Sequence, residues 1–231
     1  MYQCIVFDLD ETIGHFSQLY AIYIKMKQIY NFEISVTHLH SLFQKYIKAF
    51  RPGIFLLFAY IKVLKESNAH LLTVLYTNTT LPKIWIHAII TFIEKKIHLQ
   101  ESSTLFDHVI DITHPLRKTL KKNIKDLTFI CKIAPDNMAI LFIDNVKHTS
   151  IHHKYMIYTH VYSYMYRYSN TSVWTSFHDI LLIPITKNIK NNDVNHKFNT
   201  LCLERCNRES LSLMSQTLYI SKLGDKSGSH Q

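Results

Sequence analysis

The sequence predicts an α/β fold, a mostly parallel sheet with helices on both faces. Three observations carry that reading. Short, continuously apolar runs recur along the chain, as strands buried on both faces require. Longer segments with apolar residues at helical spacing separate them. Three of the apolar runs end in polar residues: Asp8 and Asp10, Thr77 and Asn78, Asp144 and Asn145. In parallel sheets, functional groups gather at the carboxyl ends of strands, near the point where the strand order reverses.

The elements follow in order. QCIVFDLD (3–10) reads as the first strand. FSQLYAIYIKMKQIY (16–30) and VTHLHSLFQKYIKAF (36–50) each show helical spacing, with Thr37 placed to cap the second. Together they form a small helical insert after the first strand, spanning 13–50. RPG (51–53) starts a third helix running to about Glu66, with Pro52 near its first turn, where a missing N–H costs little. HLLTVLYTN (70–78) is the second strand, and LPKIWIHAIITFIEKKI (81–97) a helix with Pro82 near its start. FDHVIDI (106–112) is a short third strand, and RKTLKKNIKDLTFIC (117–131) a helix that begins after Pro115. MAILFIDN (138–145) and MIYTHV (156–161) complete the sheet, and 171–183 reads as a helix. From about residue 184 the composition shifts to Asn, Lys and Ser. Residues 184–231 therefore read as a polar C-terminal extension, partly helical, with 221–231 disordered.

A chain of 231 residues, 47% hydrophobic, can bury one domain-sized core, here over 1–183. The net charge of +9 favours anionic partners: a phosphorylated protein, a nucleotide, a nucleic acid or an anionic membrane. The basic runs at 117–125 and 187–190 read more simply as solvated faces. Cys4 and Cys131 sit in apolar stretches and read as small core residues. His196, Cys202 and Cys206 lack the fourth ligand that a zinc site needs. Without a disulfide framework or a signal-peptide pattern, the expected location is intracellular, in the cytoplasm or nucleus. The longest apolar run, IFLLFAYIKVL (54–64), is too short to span a bilayer and contains Lys62.

The polar strand ends specify a chemistry. A carboxylate such as Asp8 can attack a phosphoryl group once the phosphate charge is neutralised. Asp10, two residues on, points to the same side and can protonate the leaving oxygen, then activate water. That role requires a raised pKa, which neighbouring carboxylates could supply. A hard cation, Mg²⁺, fits between the acids and the phosphate. Its candidate ligands are Asp8, the carbonyl of Asp10, and Asn145 or Asp144. The Thr77 hydroxyl and the Asn78 N–H can donate to phosphate oxygens, and one lysine should complete the charge balance. Lys118, Lys121, Lys122, Lys125 and Lys132 all compete for that place. Glu11 is expected to point away, and His15 either lines the site or lies on the surface. YTHVYSYMYRY (158–168) reads as a strand with a Tyr-rich edge.

These residues resemble the haloacid dehalogenase superfamily, whose phosphatases carry an Asp-x-Asp-x-Thr motif matched by Asp8, Asp10 and Thr12. RPG (51–53), VLYTNTT (74–80), FDHVI (106–110), IKDL (124–127) and ILFIDN (140–145) narrow the likeness to the RNA polymerase II C-terminal-domain phosphatases, the NLI-interacting-factor-like family. The likeness covers roughly residues 2–182. It implies a Rossmann-like domain and Mg²⁺-dependent hydrolysis through an aspartyl phosphate. It makes Asp8 the nucleophile, Asp10 the general acid/base and Thr77 a phosphate ligand. It selects Lys125, in the K-D-L element, as the lysine, and Asn145 over Asp144 as the direct Mg²⁺ ligand. Thr12 belongs to the hydrolytic branch. Two departures stand out: T-N-T replaces T-A-S after the second strand, and the insert is helical where the family's is β-rich. The implied substrate is a phosphoserine or phosphothreonine protein. A phosphatase of nucleotides, nucleic acid ends or small metabolites is the alternative if the insert closes over the site. A catalytically inactive binding module is the third reading.

Overall fold

A computed structural model describes residues 1–99, 103–148 and 151–170, together with 172, 173, 176, 179 and 180. The expectations for 184–231, including His196, Cys202, Cys206 and the disordered tail, lie outside the described residues. The chain divides into two compact units. The first comprises Met1–Tyr20 with Ile34–Arg167, and the second Ala21–Glu33 with Tyr168–Gln231.

The first unit is built on a five-stranded sheet: β1 (Tyr2–Phe7), β2 (Leu71–Tyr76), β3 (His108–Ile110), β4 (Met138–Asp144) and β5 (Met156–His160). The order is β3-β2-β1-β4-β5, and every pairing is parallel, as a Rossmann-like α/β fold requires. The order reverses at β1. Register then fixes the site: Phe7 lies opposite Leu75 of β2 and Ile143 of β4. Asp8, Thr77 and Asp144 therefore leave the sheet at the same carboxyl edge.

Alternation along each strand divides the apolar residues between two faces. On one face, Cys4, Val6, Val74, Tyr76, Ile140 and Phe142 pack with Leu127, Ile130 and Cys131 of α5 (Ile124–Cys131). Cys4 and Cys131 are buried free thiols, as their apolar surroundings suggest. On the other face, the Phe7 ring meets Phe58 of α3 (Ile54–Ser67) at 5.0 Å and Phe106 at 6.3 Å.

The insert is helical: α1 (Ser17–Tyr30), α2 (Val36–Lys45) and a 3₁₀ turn at Ile47–Ala49. α2 is fastened to α4 (Lys83–Lys96). The Phe43 ring lies 6.0 Å from Trp85 and 5.7 Å from Phe92, and Leu39, Leu42 and Phe43 are fully buried. His40 Nε2 lies 3.1 Å from the Ala88 carbonyl and 2.9 Å from the Thr91 hydroxyl. Element ends differ from expectation where capping intervenes. Ser35, not Thr37, caps α2, its hydroxyl accepting from His38 N at 3.2 Å. Pro52 lies just before α3, whose cap residue is Gly53 (φ 79°). Residues 117–123 are not helical.

Gly14 is the close-approach glycine. Its strand-like bridge to Phe50 brings it against the insert's exit, where an added Cβ would lie 2.5 Å from the Ala49 carbonyl oxygen and 2.6 Å from the Phe16 ring. Backbone on one side and a buried ring on the other leave little room to relax. Gly14→Ala is expected to destabilise the protein by about 1–3 kcal/mol. A urea midpoint equal to that of the wild type would contradict the crowding.

In the second unit, the Tyr23 and Phe32 rings lie 5.8 Å apart, and Lys27 pairs with Glu33 at 2.5 Å. Within the expected helix 171–183, the described residues 172, 173, 176, 179 and 180 are helical, and Val173 and Ser176 are buried. Among the described residues, no helix is long and apolar enough to cross a membrane.

Candidate active site at the carboxyl edge of the sheet

β1 and β4 are parallel neighbours in register, so Asp8 and Asp144 emerge side by side with side chains 8% and 1% exposed. Two buried carboxylates would repel each other. Lys122 relieves this: its Nζ lies 2.5 Å from Asp8 Oδ1 and 2.7 Å from Asp144 Oδ2, and its side chain is 2% exposed. Breaking such a group by removing one member is costly, because the remaining charges stay buried.

The site lysine is thus Lys122, and not Lys125, which is exposed on α5. The reason lies in where the helix starts. The Asn123 side-chain oxygen accepts from Asp126 N at 2.7 Å and caps α5, so Lys122 precedes the helix and is free to turn inward. Asn-x-x-Asp is a helix-start signal visible in the sequence, and it would have started the expected helix at 124, seven residues later than 117. Lys118 and Lys121 are exposed as well.

The loop after β2 is built from two nested hydroxyl turns. Thr77, fully buried, accepts from Thr79 N at 3.0 Å, and the Thr79 hydroxyl accepts from Leu81 N at 3.2 Å. Thr77 N donates to the Ile110 carbonyl at 2.9 Å. Thr79, which the sequence reading passed over, also hydrogen-bonds the Asp10 carboxylate. Asn78 is exposed, with its side-chain oxygen accepting from Arg117 Nη2. Arg117 also donates to the carbonyls of Thr77 (2.8 Å), Thr119 (2.9 Å) and Leu120 (2.7 Å), and lies 4.9 Å over the Tyr76 ring. It therefore ties the Thr77 loop to the loop that delivers Lys122.

Both acids of the first motif titrate high. Burial pushes Asp8 up to about 6, against the opposing pull of Lys122. Burial likewise raises Asp10; the Thr79 hydrogen bond opposes it and the Glu11 charge adds to it. Desolvation, more than the neighbouring carboxylates, supplies the shift that an acid/base role needs.

The third part joins Thr12 to Asn145. The Thr12 hydroxyl donates to Asn145 Oδ1 at 3.2 Å and accepts from Asn145 N at 3.1 Å. Asn145 Nδ2 donates to Ser163 Oγ at 3.1 Å and to Glu11 Oε2 at 3.2 Å. Glu11 does not point away, because its left-handed backbone (φ 60°) turns the side chain toward Asn145. His15 lies 3.0 Å from the Tyr166 carbonyl and 2.8 Å from the Ser17 hydroxyl, so it holds backbone. The Tyr-rich segment is strand only to His160; beyond it the chain leaves the sheet, with Tyr164 N donating to the Glu11 carbonyl at 2.9 Å.

The candidate Mg²⁺ donors are not equally available. Asp144, a candidate ligand, has both oxygens engaged: Oδ1 accepts from Val146 N at 2.7 Å, and Oδ2 meets Lys122 at 2.7 Å and His148 Nε2 at 3.1 Å. Its place is to hold Lys122. The other candidate donors are the Asp8 carboxylate, the Asp10 carbonyl and Asn145 Oδ1, which already accepts from the Thr12 hydroxyl at 3.2 Å and keeps a second lone pair. Among the described residues, no three His, Cys, Asp or Glu side chains gather into a metal cage. One carboxylate, one carbonyl and one amide suit a cation that keeps several waters. Compared with protein-family models, curated proteins and solved structures, the chain matches none of them.

Proposed function

We propose that the chain is a Mg²⁺-dependent phosphatase of phosphoserine or phosphothreonine proteins, working through an aspartyl phosphate. One observation carries the reading: Asp8 and Asp144 share a buried lysine, Lys122, at the carboxyl edge where the strand order reverses. A structural ion pair needs no such position, whereas phosphoryl transfer through an aspartyl phosphate needs a carboxylate nucleophile beside fixed positive charge.

In this mechanism Asp8 Oδ2 forms a bond to phosphorus as the bond to the serine or threonine oxygen breaks. Protonated Asp10 gives its proton to that leaving oxygen. Asp10, now a carboxylate, takes a proton from water as the water oxygen attacks phosphorus, releasing phosphate and regenerating Asp8. The Thr77 hydroxyl donates to a phosphoryl oxygen, and Lys122 balances the charge on Asp8. Mg²⁺ held by Asp8, the Asp10 carbonyl and Asn145 would neutralise phosphate charge. The substrate class draws support from α2, whose seating on α4 opposes its closing over the site as small-molecule phosphatases would require. The charge of +9 also favours an acidic phosphoprotein.

The test is hydrolysis of p-nitrophenyl phosphate, then of a phosphopeptide panel, with and without Mg²⁺. Wild type is expected to turn over only with Mg²⁺, and Asp8→Asn to fall at least about a thousandfold. Folded wild type without Mg²⁺-dependent turnover would overturn the reading.

A further inference from the structure

The Asp8–Gly14 loop is held from outside by a residue that touches no reacting group in the scheme above. Arg51 follows the insert, and its own N–H donates to the Ile13 carbonyl at 2.9 Å. Its guanidinium then reaches over the loop: Nε donates to the Thr12 carbonyl at 2.5 Å, and Nη2 to the Glu11 carbonyl at 2.6 Å. Nη2 also donates to the Tyr162 carbonyl at 2.6 Å, on the segment beyond β5. The guanidinium carbon lies 4.4 Å from the Tyr162 ring centroid and 5.5 Å from that of Tyr164.

One of these contacts falls on a strained residue. Glu11 adopts φ 60°, a region that a non-glycine residue enters only when its surroundings hold it there. Its carbonyl is the acceptor for both Arg51 and Tyr164 N. The residues flanking Glu11 are Asp10, which carries the acid, and Thr12, whose hydroxyl fixes Asn145. Turning the Glu11 peptide would swing both.

We infer that Arg51 is a positioning residue, a fork that locks the Glu11–Thr12 backbone so that Asp10 and the Thr12–Asn145 pair keep the arrangement required for turnover. The inference rests on the phosphatase reading for its consequence, though not for its geometry. A planar guanidinium can bridge three carbonyls while stacking on tyrosine; an ammonium cannot do both.

The experiment compares wild type, Arg51→Ala and Arg51→Lys by amide hydrogen exchange and by p-nitrophenyl phosphate kinetics with Mg²⁺. In Arg51→Ala, exchange should quicken in peptides covering 9–16 and 161–166 and stay unchanged in those covering β2 and α5. Its kcat should fall about 10- to 100-fold with KM changed less than about threefold, as positional losses of this kind do. Added guanidinium chloride at low millimolar concentration should restore part of both signals, and Arg51→Lys should stay impaired. Unchanged exchange at 9–16, or an activity loss that merely tracks the unfolded fraction and resists guanidinium, overturns the inference. If wild type shows no turnover, the phosphatase reading fails, while the exchange data still decide whether Arg51 locks the loop.

Discussion

Replacing Lys122 with methionine is expected to destabilise the protein by about 3–5 kcal/mol at neutral pH and to remove Mg²⁺-dependent hydrolysis, whereas Lys125→Met changes neither more than twofold. The side chain volume is nearly kept, so the effect isolates charge. Asp8 and Asp144 stay buried side by side, having lost the ammonium that sits 2.5 and 2.7 Å from their oxygens. Because Lys122 opposes the upward shift of Asp8, its removal lets that acid hold its proton to still higher pH. The instability of the variant should therefore be greatest near neutrality and shrink toward pH 5, where a protonated Asp8 no longer repels Asp144. Urea midpoints at both pH values, with turnover at pH 7, check the pair of variants. A silent Lys122→Met beside a dead Lys125→Met would restore the lysine that the K-D-L spacing favours.

That exchange of one lysine for another shows where sequence reasoning ends. Asp8 and Asp144 were legible because each directly follows a continuous apolar run, and a parallel sheet brings such ends to one edge. Nothing more than local pattern was needed. Lys122 meets Asp8 across 114 positions, and which lysine arrives depends on the residue at which α5 begins. The Asn123 cap decides that, and the apolar spacing of 117–131 hides it. Arg51 was visible only as the start of RPG, since three carbonyl acceptors leave no trace in side-chain identity. The same is true of Glu11, whose left-handed backbone has no Gly or Asn to announce it. The helices of the insert were predictable from their spacing. Their seat on α4 was not, because it depends on Phe43, Trp85 and Phe92 meeting in space.

Asp8→Asn is expected to flatten a pH dependence that the wild type carries. Burial holds the Asp8 proton until about pH 6 in the folded protein, while in the unfolded chain the proton is lost near the ordinary value of 3.8. Between those values the folded state binds more protons than the unfolded state. Stability contributed by this group is thus fully present below about pH 4 and is lost as pH rises through about 6. A difference of about two pH units corresponds to roughly 3 kcal/mol. Asp8→Asn cannot ionise, so without Mg²⁺ it should gain on the wild type by that order between pH 4 and pH 7. Mg²⁺ acts in the opposite sense, because it competes with the proton for the Asp8 carboxylate. Added Mg²⁺ should raise the wild-type melting temperature at pH 7, do so progressively less below pH 6, and leave Asp8→Asn almost unmoved. Asp10, raised in the same direction, is present in both proteins and largely cancels in the difference. Melting curves at pH 4.5 and 7.0, each with and without millimolar Mg²⁺, separate the two effects. Should the gap between wild type and Asp8→Asn be equal at both pH values, Asp8 is not the buried, proton-holding carboxylate that the geometry describes. Should the pH gap appear without any Mg²⁺ response, the strained carboxylate is real and the metal reading is wrong.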